Sequence, residues 1–356
     1  GDIETARSMH EGLPPCIAPG RRKHWPTNPD WAAAFVMIPW YVYVHYGDPS
    51  VLADHYAGAR QLLEHFGEQA DGWILEGGYG DWFDPGADQI VSSTPATLTT
   101  TLWFLRCAQV MARAAAVLGK QDDAQRYGQW AQAIGRAFVA RYFDAERGTF
   151  GSQTADAMAL QFGAAPADDE DRMVEAMVRD VHQRDDHLNV GIMGVRYLFE
   201  VLTRRGHGAL ALAMLRQDSY PSFGHLIGRG ATTLWEWWGE ADLKKVQGPR
   251  SLNHPMFAGY DNWFYNTLAG IELDEDHPGF ERFTIRPHVI AGLDWVKAHH
   301  DSARGRIAVQ WRVVEGRVEW SVQVPEASTA TLALPDGTAR ALGPGREAGV
   351  VEALGR

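Results

Sequence analysis

Apolar residues recur with the period of α-helices over most of residues 31–272. The pattern predicts helices over 31–47, 50–66, 94–119, 121–143, 153–163, 168–184, 190–206, 207–217 and 256–271. Short and long connections alternate, and the long ones cover 67–93, 143–152, 218–234 and 239–255. Helical hairpins that close tightly at one end and through long loops at the other indicate an α/α toroid, in which the long loops gather at one face and carry function.

The toroid is expected to be incomplete. The pattern yields about nine or ten helices, whereas six closed hairpins need about twelve, and the shortfall falls at the beginning of the chain. We therefore expect a mainly α protein with an (α/α)6 toroid that is incomplete at its N-terminus. At finer detail, Asp30 is expected to cap the first helix, and Ser93 or Thr94 the helix near residue 94.

After residue 280 the apolar period changes to two. The alternation runs through FERFTIRPHV, GRIAVQWRVVEGRVEWSVQVP and STATLALP, with a turn at Glu315-Gly316. This pattern predicts a small antiparallel β-sandwich of about five to seven strands. We place the two domains at 1–277 (toroid) and 278–356 (β-sandwich).

Charge and motifs restrict the partners. The formal net charge is −12, which argues against nucleic acid or an anionic membrane and fits a neutral carbohydrate. No P-loop, Rossmann glycine fingerprint, GxSxG elbow or Cys/His cluster of metal-binding spacing occurs, so no cofactor or metal is expected.

Missing helices would expose apolar faces, so a homo-oligomer is expected. The compartment is left open between the bacterial cytoplasm and periplasm.

The segment GATTLWEWWG (230–239) is the strongest candidate for chemistry. It places Glu236 among three of the 14 tryptophans, including Trp235. A carboxylate in an aromatic pocket suits a general acid or base, and a flat amphipathic ring is what a sugar face stacks on. The alternative is a glutamate on an exposed turn.

A second candidate is EGGYGDWFDPG (76–86). It holds Glu76, Asp81 and Asp84, with Trp82 between the last two. Its glycines allow a tight turn and a close approach to a ligand. The carboxylates could accept hydrogen bonds from sugar hydroxyls, and the alternative is an ordinary Asp-Gly-Pro surface turn.

Two further segments add binding residues. WPTNPDWAAAF (25–35) offers Trp25 or Trp31 as a stacking platform. In SLNH (251–254), His254 could donate to a sugar hydroxyl or to a catalytic carboxylate. The alternative is a packed histidine that follows a capping asparagine.

Several motifs together resemble a known family. GATTLWEWW resembles the GATTxWExW signature of family 78 α-L-rhamnosidases. Five further segments match in order: IPWYVYVHYGD (38–48), GDW (80–82), YPSFG (220–224), SLNH and LAGI (268–271). The resemblance covers about residues 10–335. It implies an (α/α)6 barrel followed by a β-sandwich, and hydrolysis of terminal α-L-rhamnose with inversion.

The resemblance also implies residue roles. Glu236 matches the general base that activates water, and His254 matches a rhamnose-binding histidine. Trp31 and Trp82 match aromatic residues of the sugar pocket, and Asp81 matches the acid of the GDW motif.

One element of the family pattern is not found. The family's general acid lies in a segment resembling DCPxRxERxGWxGD, which this chain does not contain. The candidates to replace it are Asp81, Asp84 and Glu11, in that order. A non-catalytic carbohydrate-binding protein on a degenerate barrel therefore stays open as an alternative, and another toroidal glycosidase or a polysaccharide lyase is a third.

Overall fold

The computed structural model describes residues 12–16, 28–85, 93–238 and 251–352. Within these ranges the first part of the chain is helical and the last part is built of strands. The helices are α1 (Pro29–Ala32), α2 (Ala34–Tyr46), α3 (Ser50–Gln69), α4 (Ala96–Val117), α5 (Gln121–Tyr142), α6 (Gln153–Phe162), α7 (Glu170–Gln183), α8 (Gly194–Arg204), α9 (Gly208–Leu215) and α10 (Phe223–Gly228). In the same ranges, no helix combines the length and the apolar character needed to cross a membrane.

The helical hairpin predicted over 94–119 and 121–143 is confirmed. Helices α4 and α5 pack along each other, and each buries one apolar face, including Phe104 in α4 and Tyr127 in α5. Helix α6 is capped by Ser152, whose hydroxyl accepts a hydrogen bond from the Ala155 amide at 3.1 Å. Such N-caps satisfy amides that have no partner inside the helix.

Helix boundaries differ from the predictions at three places. Helix α4 is preceded by Pro95 rather than capped by Ser93 or Thr94. Asp30 is the second residue of α1 and does not cap it, because Asn28 takes that position. The long loop after residue 218 contains the short helix α10.

The helix predicted over 256–271 is wrong in type. The chain forms a 3-10 helix at Pro255–Asp261 and a π-helical turn at Trp263–Leu268. The Trp263 ring is fully buried, and its Nε1 donates to Thr203 Oγ1 at 2.8 Å. This tertiary anchoring outweighs the local preference for a regular α-helix.

Eight strands follow in the described residues, slightly more than the sequence predicts. They are β1 (Ile271–Leu273), β2 (Arg282–Ile285), β3 (Trp295–Ser302), β4 (Gly305–Val314), β5 (Arg317–Val324), β6 (Thr329–Ala333), β7 (Ala339–Leu342) and β8 (Gly345–Glu352). Two four-stranded sheets have the orders β1-β2-β6-β7 and β3-β4-β5-β8. All pairs are antiparallel except β2 with β6, which is parallel.

Buried and accessible residues alternate along the strands, so one face of each sheet forms the core of the sandwich. Every second residue is buried throughout β5 and from Ile307 to Trp311 in β4, and Trp311 lies opposite Trp320 in the register. These rings pack in one apolar cluster with residues of the other sheet, including Phe283 and Leu332. A strand with one buried face produces this period of two.

The chain divides into two compact units whose segments interleave. The first gathers the described residues up to Trp40, Pro49–Tyr197 and Gln217–Phe257. The second gathers Tyr41–Asp48, Leu198–Arg216 and the described residues from Ala258 onward. Some helical segments therefore group with the strands, and a domain boundary at residues 277 and 278 stays a prediction. All the candidate site residues described below belong to the first unit.

Candidate active site

Glu236 lies on a loop segment that is hydrogen-bonded to a second one. The Glu236 amide donates to the Ser251 carbonyl at 3.1 Å, and the His254 amide donates to the Leu234 carbonyl at 2.8 Å. Thr233 adds a hydrogen bond from its hydroxyl to the Leu252 carbonyl. The pairing brings two sequence candidates, Glu236 and His254, onto neighbouring backbone segments.

Two donors orient the half-buried Glu236 carboxylate. Its Oε2 accepts from the Ser251 amide at 3.0 Å, and its Oε1 accepts from the indole Nε1 of Trp82 at 3.4 Å. The side chain is therefore held from both sides while part of it stays accessible. A carboxylate held in this way can act as a base toward a water molecule on its open side.

Beside Glu236 lie three half-buried aromatic side chains, Trp31, Tyr79 and Trp82, which we call the aromatic triad. The ring centroids are 4.8 Å apart for Trp31 and Tyr79, 5.2 Å for Tyr79 and Trp82, and 6.2 Å for Trp31 and Trp82. All three pairs meet edge to face, a favourable geometry for aromatic rings. The triad unites two sequence candidates, Trp31 and Trp82, with Tyr79, which sequence reasoning did not single out.

The tryptophans around Glu236 divide into core and open positions. Trp237 and Trp238 are buried, whereas Trp235 is half-buried. Trp238 donates from Nε1 to the Val190 carbonyl at 2.7 Å and packs against Phe257 with ring centroids 4.4 Å apart. Of this cluster, Trp235 is therefore the ring best placed to contact a ligand.

Asp81 is placed inside the protein. Its side chain is fully buried, and its carboxylate accepts hydrogen bonds from the hydroxyl of Thr154 and from the amides of Gly191, Met193 and Gly194. The three amide distances are 2.6, 2.8 and 3.1 Å. Burial raises the pKa of Asp81 to about 6, against the opposing effect of these donors. This geometry fits an architectural role for Asp81 and does not support the catalytic role predicted for it.

Residues 190–194, three of which donate hydrogen bonds to Asp81, also contact two other segments of the site. On one side, the Ile192 amide donates to the Trp82 carbonyl at 3.2 Å. On the other, Val190 receives the indole of Trp238. A Cβ added at Gly191 would collide with the carbonyl oxygens of Asp81 and Trp82. This segment therefore connects the loop that carries Trp82 with the segment that carries Glu236.

Asp84 is also buried, at 4% exposure. Its Oδ2 accepts from the amide of Ser93 at 2.8 Å and from the hydroxyl of the same residue. The Asp84 carboxylate thus joins residues 84 and 93. Residues 86–92 between them lie outside the described part of the chain. Glu76, by contrast, is exposed.

Asp30 holds the backbone of the glycine-rich loop, a role that the sequence analysis did not predict. It is 6% exposed, and its carboxylate accepts from the amides of Tyr79, Gly80 and Trp31 at 2.7, 2.9 and 3.0 Å. Burial raises its pKa to about 6, and these hydrogen bonds act in the opposite direction. Asp30 stands next to Trp31 in the sequence, but only the fold shows that it meets the amides of Tyr79 and Gly80, 49 and 50 residues further along the chain.

Some predicted residues cannot be placed. Glu11 and Trp25 lie outside the described residues. Among the residues that are described, no group of three His, Cys, Asp or Glu side chains is arranged to hold a metal ion.

Family models match both parts of the chain. The bacterial α-L-rhamnosidase six-hairpin glycosidase domain matches residues 2–268, and the bacterial α-L-rhamnosidase C-terminal domain matches residues 270–349. A curated α-L-rhamnosidase of Alteromonas sp. (strain LOR) is 29% identical over 313 residues, which is 84% of this chain and 34% of that protein. The chain therefore spans about a third of the length of the curated relatives it matches.

Two solved structures of α-L-rhamnosidases are similar to this chain. The α-L-rhamnosidase from Dictyoglumus thermophilum superposes with a TM-score of 0.90 at 29% identity, covering 99% of this chain and 43% of that one. The Streptomyces avermitilis α-L-rhamnosidase, solved in complex with L-rhamnose, gives a TM-score of 0.87 at 26% identity, covering 99% and 36%. The fold class is thus the predicted one, a helical toroid followed by a β-sandwich, and the chain belongs to the bacterial α-L-rhamnosidase family.

Proposed function

We propose that the protein containing this chain removes terminal α-L-rhamnose from glycosides or oligosaccharides by hydrolysis with inversion. The observation that carries the proposal is Glu236, an accessible carboxylate held by Trp82 and Ser251 beside the aromatic triad. Family membership supports the reaction class. A structural neighbour of the same family was solved with L-rhamnose bound, which supports the sugar.

Glu236 acts as the general base in this proposal. It takes a proton from water as the water oxygen attacks the anomeric carbon, and the bond to the leaving oxygen breaks on the opposite face. The product sugar is therefore released first with the opposite anomeric configuration. The two hydrogen bonds to the Glu236 carboxylate keep it aimed while it receives the proton.

The binding roles follow from the same geometry. We assign sugar stacking to Trp31 and Trp82, and a further contact to half-buried Trp235. His254 lies on the segment that pairs with Glu236 and is half-buried, so its ring is suited to a hydrogen bond with a sugar hydroxyl. Asp84 supports the site by holding Ser93 rather than by binding sugar itself.

The general acid of the proposed reaction must be a carboxyl group other than Glu236. Inversion needs a second carboxyl group at roughly 6.5–9.5 Å from the base. Asp81 and Asp84 are both buried and bound to internal donors, and Glu11 lies outside the described residues. We propose that a carboxyl group other than Asp81 and Asp84 protonates the leaving oxygen.

The test uses the full-length protein on an aryl α-L-rhamnoside. Proton NMR of the first product distinguishes the anomers, and we expect β-L-rhamnose before mutarotation. Release of the α-anomer first would contradict inversion. Calorimetric binding of L-rhamnose without turnover would point instead to the carbohydrate-binding alternative. If the protein neither binds nor cleaves rhamnosides, the proposal is refuted altogether.

A further inference from the structure

The carboxylate of Asp30 joins two segments of the sugar site. Its Oδ1 accepts from the Trp31 amide in its own helix α1, and its Oδ2 accepts from the amides of Tyr79 and Gly80 in the glycine-rich loop. Through one side chain, the backbone that carries Trp31 is tied to the backbone that carries Tyr79. Both residues belong to the aromatic triad.

The loop is shaped to receive this carboxylate. Gly78 has a φ of +90°, and a Cβ at this position would lie 2.8 Å from Asp30 Oδ2. The same Cβ would also collide with the hydroxyl of Thr100, which donates to the Gly77 carbonyl at 2.8 Å. The loop backbone therefore packs closely against two polar side chains, Asp30 and Thr100, and leaves no room for a side chain at Gly78.

A carboxylate suits this position better than its neutral counterparts. Three amide donors need acceptors, and an ionised aspartate offers acceptors on both oxygens. An asparagine would turn an NH2 group toward at least one of the three amides. Burying the charge is costly, which is reflected in the raised pKa of Asp30, but the donors compensate for part of that cost.

We propose that Asp30 is a positioning residue, and that Tyr79, which it holds between Trp31 and Trp82, is a further substrate-contacting residue of the sugar site. This inference rests on the proposed function. Tyr79 is half-buried and contacts both of the stacking tryptophans edge to face. Its backbone amide makes the shortest of the three hydrogen bonds to Asp30, so the position of the ring depends directly on that carboxylate.

The inference is tested in the full-length protein with Asp30→Asn and a matched control, Asp156→Asn. Asp156 is buried to a similar degree and holds a turn in the same manner, accepting from Thr149 Oγ1 at 2.6 Å and from the Phe150 amide at 2.7 Å. These partners lie outside the triad. Melting temperatures of both variants identify any loss that is merely structural.

Asp30→Asn is expected to raise KM for an aryl α-L-rhamnoside by about three- to tenfold, with a smaller change in kcat, because the loss is one of aromatic contact with the sugar. Tyr79→Ala should raise KM to a similar degree. The double variant should lose little more than Tyr79→Ala alone, since Asp30 acts through Tyr79. Asp156→Asn should leave KM unchanged.

An unchanged KM in a folded Asp30→Asn protein, or fully additive losses in the double variant, would overturn the inference. Hydrogen exchange separates this outcome from a failure of the proposed function. If the wild-type protein neither binds nor cleaves rhamnosides, the proposed function fails. Asp30 is then judged by exchange alone: faster exchange of the Tyr79 and Gly80 amides in Asp30→Asn supports its positioning role, and unchanged protection refutes it.

Discussion

The indole Nε1 of Trp82 lies 3.4 Å from Oε1 of Glu236, although 154 residues separate them in sequence. This hydrogen bond joins the glycine-rich loop at 76–85 with the loop segment that carries Glu236. Two motifs that the sequence shows only separately therefore form one site. A ring expected to stack on the sugar also orients the carboxylate expected to activate water.

Removing the charge of Glu236 should abolish most of the activity while leaving the sugar pocket intact. For Glu236→Gln we expect kcat to fall by roughly 10²- to 10⁴-fold, since the amide cannot accept a proton from water. Calorimetric affinity for L-rhamnose should be nearly unchanged. Glu76→Gln is the control, because Glu76 is an exposed carboxylate in a neighbouring loop. A Glu236→Gln protein with wild-type kcat would contradict the assignment.

Replacing Trp82 with Phe separates its two roles. Phenylalanine keeps an aromatic face for the sugar but removes the Nε1 donor to Glu236. We expect kcat to fall by about three- to tenfold, which corresponds to roughly 1 kcal/mol, with a smaller effect on KM. Trp73→Phe serves as the control, since Trp73 packs against Trp130. Equal losses in both variants would mean that the hydrogen bond to Glu236 is not the cause.

Two glycines should respond in opposite ways to substitution by alanine. A Cβ at Gly191 would strike the carbonyl oxygens of Asp81 and Trp82, so Gly191→Ala should lower the free energy of unfolding by about 1–3 kcal/mol. Gly135 lies inside α5 with open space around it. Gly135→Ala should raise stability by about 0.5–1 kcal/mol. Urea unfolding monitored by circular dichroism checks both, and a neutral Gly191→Ala would show that residues 190–194 adapt freely.

The buried acid Asp156 should make stability depend on pH. Burial raises the pKa of Asp156 from 3.8 to about 7 in the folded state. Its stabilising contribution is fully present below pH 3.8 and is lost as the pH rises through 7, because folding then requires burial of a charge. The difference in unfolding free energy between wild type and Asp156→Asn should therefore decrease by roughly 1 kcal/mol per pH unit from pH 5 to 7.

Urea titrations at pH 5, 6, 7 and 8 measure this difference. Asp122→Asn provides the comparison, since Asp122 is exposed in the first turn of α5. Parallel curves for wild type and Asp156→Asn would show that the carboxyl group titrates alike in the folded and unfolded states.

The sequence by itself determined the helical hairpins, the β-sandwich and the two loop motifs of the site. Apolar spacing is a local property, so α4, α5 and the alternating strands β4 and β5 could be read directly from it. Glu236, Trp31 and Trp82 could be chosen because chemically suitable side chains stand in glycine- and tryptophan-rich loops. The π-helical turn at Trp263–Leu268 was missed, because the burial of Trp263 depends on Thr203, 60 residues away.

Only the tertiary structure decided what each acid does. Asp30, Asp81 and Glu236 all occur beside tryptophans, and their neighbours in sequence do not show which of the three carboxylates stays accessible. Asp81 meets amides more than 100 residues away and is enclosed by them, Asp30 meets those of Tyr79 and Gly80, and Glu236 keeps an accessible side. Whether a carboxylate supports a loop or faces a substrate depends on which distant donors reach it, and the folded backbone alone brings those donors into place.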